Sequence, residues 1–339
     1  MSRVAVISPR TFGYEERIPS AVRQIGHEVI WCDERIGNSF FIKVLTRLKL
    51  LWALPWLKKQ HVFKLLETLN DWNASVLLVV NPETLRGVDI RRIKKLMPDL
   101  KIHVYKWDSL RQKPIDEEFI KLADKVYSFD PEDSRNVEMF NHLPLFHCHK
   151  ENSMNISDWE GRDTEFLFVG SAQIHRIKVL AKLIKFMDLE SRSYRVHLVS
   201  QSTVHHLIYV CYARLVGYTG VLSRVPLSYE KYLEAIKRSV CVVDIEYPRQ
   251  SGLTMRTIEV LFSGSSILTT NKSIEEYSLA DIGGVYLLDS ENISLPSRQS
   301  LSADIKKNES LFEGYSIVGW ASKVVTGTGE LDWNGRRWV

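Results

Sequence analysis

The sequence predicts an α/β protein made of two tandem doubly wound parallel-sheet domains. Two observations carry that expectation. Short apolar runs rich in β-branched and aromatic residues alternate with stretches of helical spacing, which implies parallel βαβ units. The alternation pauses in the polar stretch "HKENSMNISDWEGRDTE" and then starts again, and 339 residues suffice for two cores of ordinary size.

In the first half the strand-like runs are Val4–Ser8, Glu28–Cys32, Ser75–Val80, Lys101–Lys106 and Lys125–Phe129, with helical spacing between them in "VDIRRIKKLMP" and "IDEEFIKLAD". In the second half they are Phe166–Ser171, Tyr194–Ser200, Ser239–Glu246, Ser266–Asn271 and Gly284–Asp289. A helix-like "HRIKVLAKLIKFMDL" follows the first of these, and a helix starting near Leu253 or Thr254 and ending at Gly264 follows the third. Residues 201–230 are apolar and aromatic and read either as a core helix or as the lining of a ligand site. The expected domains are therefore 1–150 and 163–305, with 306–339 holding a closing helix, "GYSIVGWASKVV", that packs back on the first domain.

Composition narrows the class. An apolar fraction of 45% and a charged fraction of 25% belong to a folded globular chain. Cys32, Cys148, Cys211 and Cys241 lie far apart without a CxxC pair, so neither a zinc site nor a disulfide framework is suggested, and a reducing cytosol fits best. The N-terminus runs straight into a β-like segment without the pattern of a signal peptide, and no apolar run reaches bilayer length. A cytoplasmic protein is expected. The net charge of +4 is too small to argue for nucleic acid. Its distribution says more, because Ile42–Glu67 mixes Lys and Arg with Leu, Trp and Phe and carries one acid, at its end. That segment is either two packed helices parted at Pro55 or, through residues 43–64, a basic amphipathic surface for an anionic membrane.

Ligands of open parallel sheets bind beyond the carboxyl ends of the strands, so the segments after each strand are the candidate sites. In "YPRQSGLTMRTIEVLFSG", Ser251, Gly252, Leu253 and Thr254 form a small turn ahead of a helix whose first N–H groups suit an anion. Arg256 lies in that first turn, where a cation is unfavourable unless an anion is near, and Glu259 follows one turn later on the same face. Together they suit the phosphates and the ribose hydroxyls of one nucleotide; the plainer alternative is an i,i+3 surface ion pair. Gly170 and Ser171 make a second small-residue turn, to which Arg176 adds positive charge. In the first domain Gly13, Tyr14 and Glu15 follow the first strand and are candidates for binding an acceptor, and Asp108 follows the fourth. Asp108 is either a general base for a hydroxyl or the cap of a turn. The ten histidines have no metal-ligand spacing, and neither GxGxxG after the first strand nor a P-loop occurs, so no metal and no bound cofactor are expected.

These features resemble the GT-B class of glycosyltransferases. More narrowly, "KWDSL", "KVYSFDPEDS" followed by "LPLF", and "DIEYPRQSGLTMRTIEVLFSGSSILTTN" resemble bacterial transferases of capsule and lipopolysaccharide O-antigen synthesis, over roughly residues 75 to 290. The resemblance implies two Rossmann-like domains facing a central cleft. It also implies metal-independent transfer of a sugar from a nucleotide-sugar, the substrate, to a saccharide or glycolipid acceptor at the inner face of the cell membrane. Arg256 and Glu259 match the positions that contact phosphate and ribose, and Gly252, Leu253 and Thr254 match the turn that approaches the donor. The paired-glutamate pattern of many retaining members is not met, since Ser251 stands where the first Glu is expected. Other readings of the same scaffold are a sugar-nucleotide epimerase or hydrolase, and a non-catalytic nucleotide-binding subunit at the membrane.

Overall fold

Strands buried on both faces need continuous apolar runs, and the first strand shows it: Val4, Ala5, Val6 and Ile7 are all fully buried. The computed structural model describes residues 1–11, 13–37, 55–149, 161–200, 202–248, 250–301 and 308–329. They build, in order, β1 (Arg3–Ser8), α1 (Tyr14–Gln24), β2 (Glu28–Asp33), α2 (Pro55–Trp72), β3 (Val76–Val80), α3 (Gly87–Leu96), β4 (Lys101–Lys106), α4 (Glu117–Leu122), β5 (Lys125–Ser128), α5 (Pro131–Asn136) and β6 (Phe140–His142). The chain continues through β7 (Thr164–Ser171), α6 (Ile174–Leu189), β8 (Tyr194–Val199), α7 (Thr203–Leu215), β9 (Val221–Ser223), α8 (Tyr229–Lys237), β10 (Ser239–Asp244) and α9 (Met255–Phe262). It ends with β11 (Ser266–Thr269), β12 (Val285–Leu287), α10 (Arg298–Leu301), α11 (Glu309–Gly314) and α12 (Ile317–Thr326).

The strands form two six-stranded sheets, ordered β2-β1-β3-β4-β5-β6 and β12-β11-β10-β7-β8-β9. Every strand pairing is parallel. In each sheet the first strand of the unit is an interior one, second from the edge for β1 and central for β7, and the order of addition reverses beside it. The two switch points are thus at the carboxyl ends of β1 and β3 and of β7 and β10.

Described residues of 1–148, 249–252 and 313–334 make one compact unit, and those of 149–248 and 253–312 another. The C-terminal helix α12 is part of the first unit. Its Trp320 is buried edge-on against Tyr105 at 4.9 Å and beside Phe146 at 4.7 Å, and the Val324 carbonyl lies 2.7 Å from His103 Nδ1. The first core is built from strand residues such as Leu77, Ile102 and Val104 with helix residues such as Leu69, Ile90 and Phe119. The second collects Phe166, Phe168, Ile177, Leu180, Ile184 and Val243.

One expectation changes. Residues 201–230 do not form a core helix: of α7 only Ala213 is buried, with Tyr209, Tyr212 and Val216 packed at the margin of the core. The helix leads from β8 to the edge strand β9, where one face has the sheet's helices to pack on and the other has solvent. Strands β6 and β9 were not readable, because three residues are too few to show a period. Of the basic segment 43–64, residues 43–54 lie outside the described residues; the rest begin α2, with Trp56 and Phe63 exposed and Val62 buried.

Candidate functional site

At the switch point of the second unit, β10 ends in Asp244, a carboxylate with no exposed surface. Leaving it there requires donors, and the turn into α9 supplies them. Arg256 Nη1 reaches Asp244 Oδ1 at 2.7 Å, while the hydroxyls of Thr257 and Thr269 donate to Oδ2 at 3.2 and 3.1 Å. Thr254, the N-cap of α9, accepts from the Thr257 amide at 3.3 Å and lies 3.4 Å from Asp244 Oδ1. The cation in the first turn of α9 thus has its anion within the protein, twelve residues back across the loop.

Arg256 also donates through Nη2 to the Val169 carbonyl at 2.6 Å, and its guanidinium lies over the Phe168 ring at 5.2 Å. Gly170 makes this approach possible, since a Cβ there would meet Arg256 Nη2 at 3.0 Å. A second guanidinium, Arg176 on α6, is buried alongside, donating to the Ile245 carbonyl at 3.0 Å and to Ser171 Oγ at 2.8 Å. Burial, and after it the charge of Arg256, pulls Arg176 down to about 10, with Asp244 opposing. Burial also works against the charge of Arg256, but Asp244 outweighs it and the group is held above its ordinary value. Two guanidiniums are held here and one buried carboxylate, Asp244, pairs with Arg256 alone, so the positive groups outnumber the negative one at this edge of the sheet.

Glu259, one turn along α9 from Arg256, is buried, and its Oε1 accepts from the Tyr229 hydroxyl at 2.6 Å. Burial, with Glu259 beside it, pushes the Tyr232 phenol well above its ordinary value. The ion-pair partner of Arg256 is Asp244, and the hydroxyl partner of Glu259 is a tyrosine, so each member of the pair has its own polar surroundings.

In the first unit the carboxyl edge carries the opposite chemistry. Asp108 Oδ2 accepts from Asn81 Nδ2 at 2.9 Å and from Lys113 Nζ at 2.8 Å, and Lys113 also reaches Glu83 at 2.5 Å. Asn81 follows β3 in a left-handed conformation, φ 50°, which asparagine tolerates better than most side chains. Lys106, fully buried, donates to the Lys113 carbonyl at 2.8 Å, and burial pulls it down to about 8. Glu34, after β2, is also fully buried. Its Oε1 accepts from the backbone N–H groups of Glu83, Thr84 and Leu85, at 2.8 Å from the first and 3.0 Å from the last, yet burial raises its carboxyl to about 7. Asp133 accepts from Ser128 at 2.6 Å and is raised by burial to about 6.

The other residues singled out in the sequence are distributed as follows. Leu253 and Thr254 belong to the second unit with Gly170, Ser171, Arg176, Arg256 and Glu259. Ser251 and Gly252 belong to the first, where the Ser251 amide donates to Asp130 at 3.2 Å and a Cβ on Gly252 would strike the Phe129 carbonyl at 2.6 Å. Gly13, at φ 77°, is the N-cap of α1. Tyr14 is buried edge-on against Phe146 at 5.7 Å, and Glu15 accepts from the Thr11 amide at 3.2 Å. Asp244, Tyr229, Glu34, Asn81 and Lys106 were not singled out. A polar residue closing an apolar run, as in "VCVVD", was the available signal for Asp244.

No protein-family model matches the chain, and no curated protein matches it. Solved structures do. OtsA in its apo form superposes with a TM-score of 0.63 at 10% identity, covering 98% of this chain and 100% of that one. The apo lipopolysaccharide outer core galactosyltransferase WaaB gives 0.53 at 12% identity, covering 96% and 99%. A UDP-GlcNAc 2-epimerase from Neisseria meningitidis, bound to UDP-GlcNAc, gives 0.52 at 11% identity, again covering 96% and 99%. The fold is that of the two-domain, Rossmann-like GT-B class. At these identities the likeness reaches the fold and no further.

Proposed function

We propose that the protein is a glycosyltransferase that takes a nucleotide-sugar at the carboxyl edge of its second sheet and passes the sugar to a saccharide hydroxyl. The observation supporting this reading is the electropositive switch point, where Arg256 lies against Gly170 and is paired with buried Asp244 while Arg176 is held beside it on Ser171 and the Ile245 carbonyl. Such a site favours the diphosphate of a nucleotide-sugar, and favours it more as negative charge grows on the departing diphosphate. Both guanidiniums are already held by protein oxygens, so little reorganisation accompanies the reaction. Glu259 is proposed to receive the ribose hydroxyls, exchanging the Tyr229 hydroxyl for them. In the first unit Asp108, whose side chain is about a quarter exposed at 25%, is proposed as the base that takes the acceptor proton, with Lys113 as its counter-charge. The resemblance of the "GLTMRTIE" block favours a lipid-linked acceptor of surface-polysaccharide synthesis.

The epimerase reading is favoured by one finding, the shared fold with an enzyme bound to UDP-GlcNAc. Product analysis separates the two. Purified protein is incubated with UDP-, GDP-, ADP- and dTDP-sugars, with and without saccharide acceptors, and followed by NMR. Transfer predicts release of nucleoside diphosphate that depends on the acceptor, and Asp108→Asn lowers it by about a hundredfold or more. Inversion of a sugar carbon with no acceptor present contradicts the proposal and establishes the epimerase.

A further inference from the structure

Helix α7 is apolar on both faces, and such a helix is ordinarily buried all round. Its inner face, through Tyr209, Tyr212 and Ala213, meets the second core. On the outer face Val204, Leu207, Ile208 and Leu215 are 67%, 62%, 48% and 82% exposed. Their i, i+3, i+4 and i+11 spacing makes one stripe, and the loop beyond β9 adds the exposed Val225. A contiguous apolar stripe of this kind marks an interaction surface.

The surrounding charge identifies the occupant. From Ser191 to Tyr229 the chain has no Asp or Glu, while it holds Arg192, Arg195, Arg214 and Arg224 and three histidines. Arg192 and Arg195 pair with Glu165 and Asp163. Arg214 and Arg224 are exposed, and among the described residues neither has a carboxylate partner; Arg224 donates to the Thr203 hydroxyl at 2.8 Å. A two-fold interface made by this face would bring these arginines no carboxylate, since the segment that forms it has none. A lipid surface carrying negative headgroups satisfies both the apolar stripe and the unpaired cations. No helix among the described residues is long and apolar enough to cross a membrane, so the contact is with the surface.

We propose that the outer face of α7, with Arg214 and Arg224 at its border, is a docking surface for an anionic bilayer. This rests on the helix and the loop beyond β9 and holds whichever reaction the protein catalyses.

The test is flotation of the full chain with vesicles of equal parts phosphatidylglycerol and phosphatidylcholine, against phosphatidylcholine alone, at low and high salt. Wild-type protein is expected to float with the anionic vesicles at low salt and to be weakened by high salt. Leu207→Ser with Ile208→Ser is expected to lower binding about tenfold or more while residues 43–64 stay intact. Arg214→Glu with Arg224→Glu, at exposed positions that leave the core untouched, is expected to remove the salt-sensitive part. Light scattering accompanies the flotation. Vesicle binding that is absent in the wild type, or unchanged in both variants, overturns the proposal. So does a wild-type dimer that the serine variant turns into monomer without change in vesicle binding, which makes the face a self-interface instead.

Discussion

At the switch point of the second unit Arg256 pairs with a buried carboxylate and Arg176 lies buried beside it; at the carboxyl edge of the first, Glu83, Asp108 and Asp133 surround Lys106 and Lys113, and Glu34 is buried on the backbone N–H groups that follow β3. The backbone frames are of one kind, both all-parallel with the unit's first strand inside the sheet and a reversal of strand order beside it. What differs is how charge is kept out of water. Guanidiniums stay ionised when buried and hold their positions through forked hydrogen bonds, so the second edge is a fixed positive field. Carboxylates and lysines respond to burial by shifting toward neutrality, and there Glu34 and Asp133 go up while Lys106 goes down. One edge is suited to hold an anion, the other to hold and release protons.

The comparison breaks most visibly at Arg256. Arg256→Ala strands Asp244 without its cation in a site with no solvent, and the expected loss is about 3–5 kcal/mol of folding stability. Arg256→Lys keeps the charge but not the fork that spans Asp244 and the Val169 carbonyl, and it is expected to fall between. Chemical denaturation of both variants checks this order. Equal stability of wild type and Arg256→Ala would show that Asp244 is satisfied without the arginine.

A smaller effect, tied to pH, sharpens the other side. Glu34 titrates near 7 in the folded chain against an ordinary 4.5, so the folded state keeps a proton that the unfolded chain has released. Its contribution to stability therefore falls as pH rises from about 4.5 to about 7, by about 3 kcal/mol, and is level above that. Buried His142, lowered to about 3, slopes the other way, gaining stability as pH rises toward 6.5. The two are separated by difference. Glu34→Gln is expected to gain on wild type by about that amount between pH 4.5 and 8, because only the Glu34 slope is removed. Parallel curves would mean that Glu34 is ionised in the folded chain, its charge carried by the three backbone N–H groups.

Much of the fold was legible because buried parallel strands are continuous apolar runs. Val4–Ser8, Ser75–Val80, Lys101–Lys106 and Phe166–Ser171 coincide with β1, β3, β4 and β7 to within two residues at either end. Helix α7 misled for a related reason: an apolar sequence reports what a segment can bury, not whether a neighbour is present to cover it. The candidate site was legible as positions and less so as partnerships. "MRTIE" puts Arg256 and Glu259 on one face, but helical spacing says nothing of Asp244 across the βα turn or of Tyr229 thirty residues earlier. The displaced titrations of Lys106 and Glu34 come from burial by distant segments, which no local pattern carries.

The most direct test of the central claim is calorimetric titration of the protein with UDP, GDP, ADP and dTDP, each beside its nucleoside. One diphosphate is expected to bind, its nucleoside far more weakly, and Glu259→Gln and Gly170→Ala are each expected to weaken the diphosphate about tenfold or more. The first variant removes the charge proposed for the ribose, and the second sets a methyl group 3.0 Å from Arg256 Nη2. Equal binding of diphosphate and nucleoside, or binding that both variants leave intact, would contradict a nucleotide site at the switch point of the second sheet.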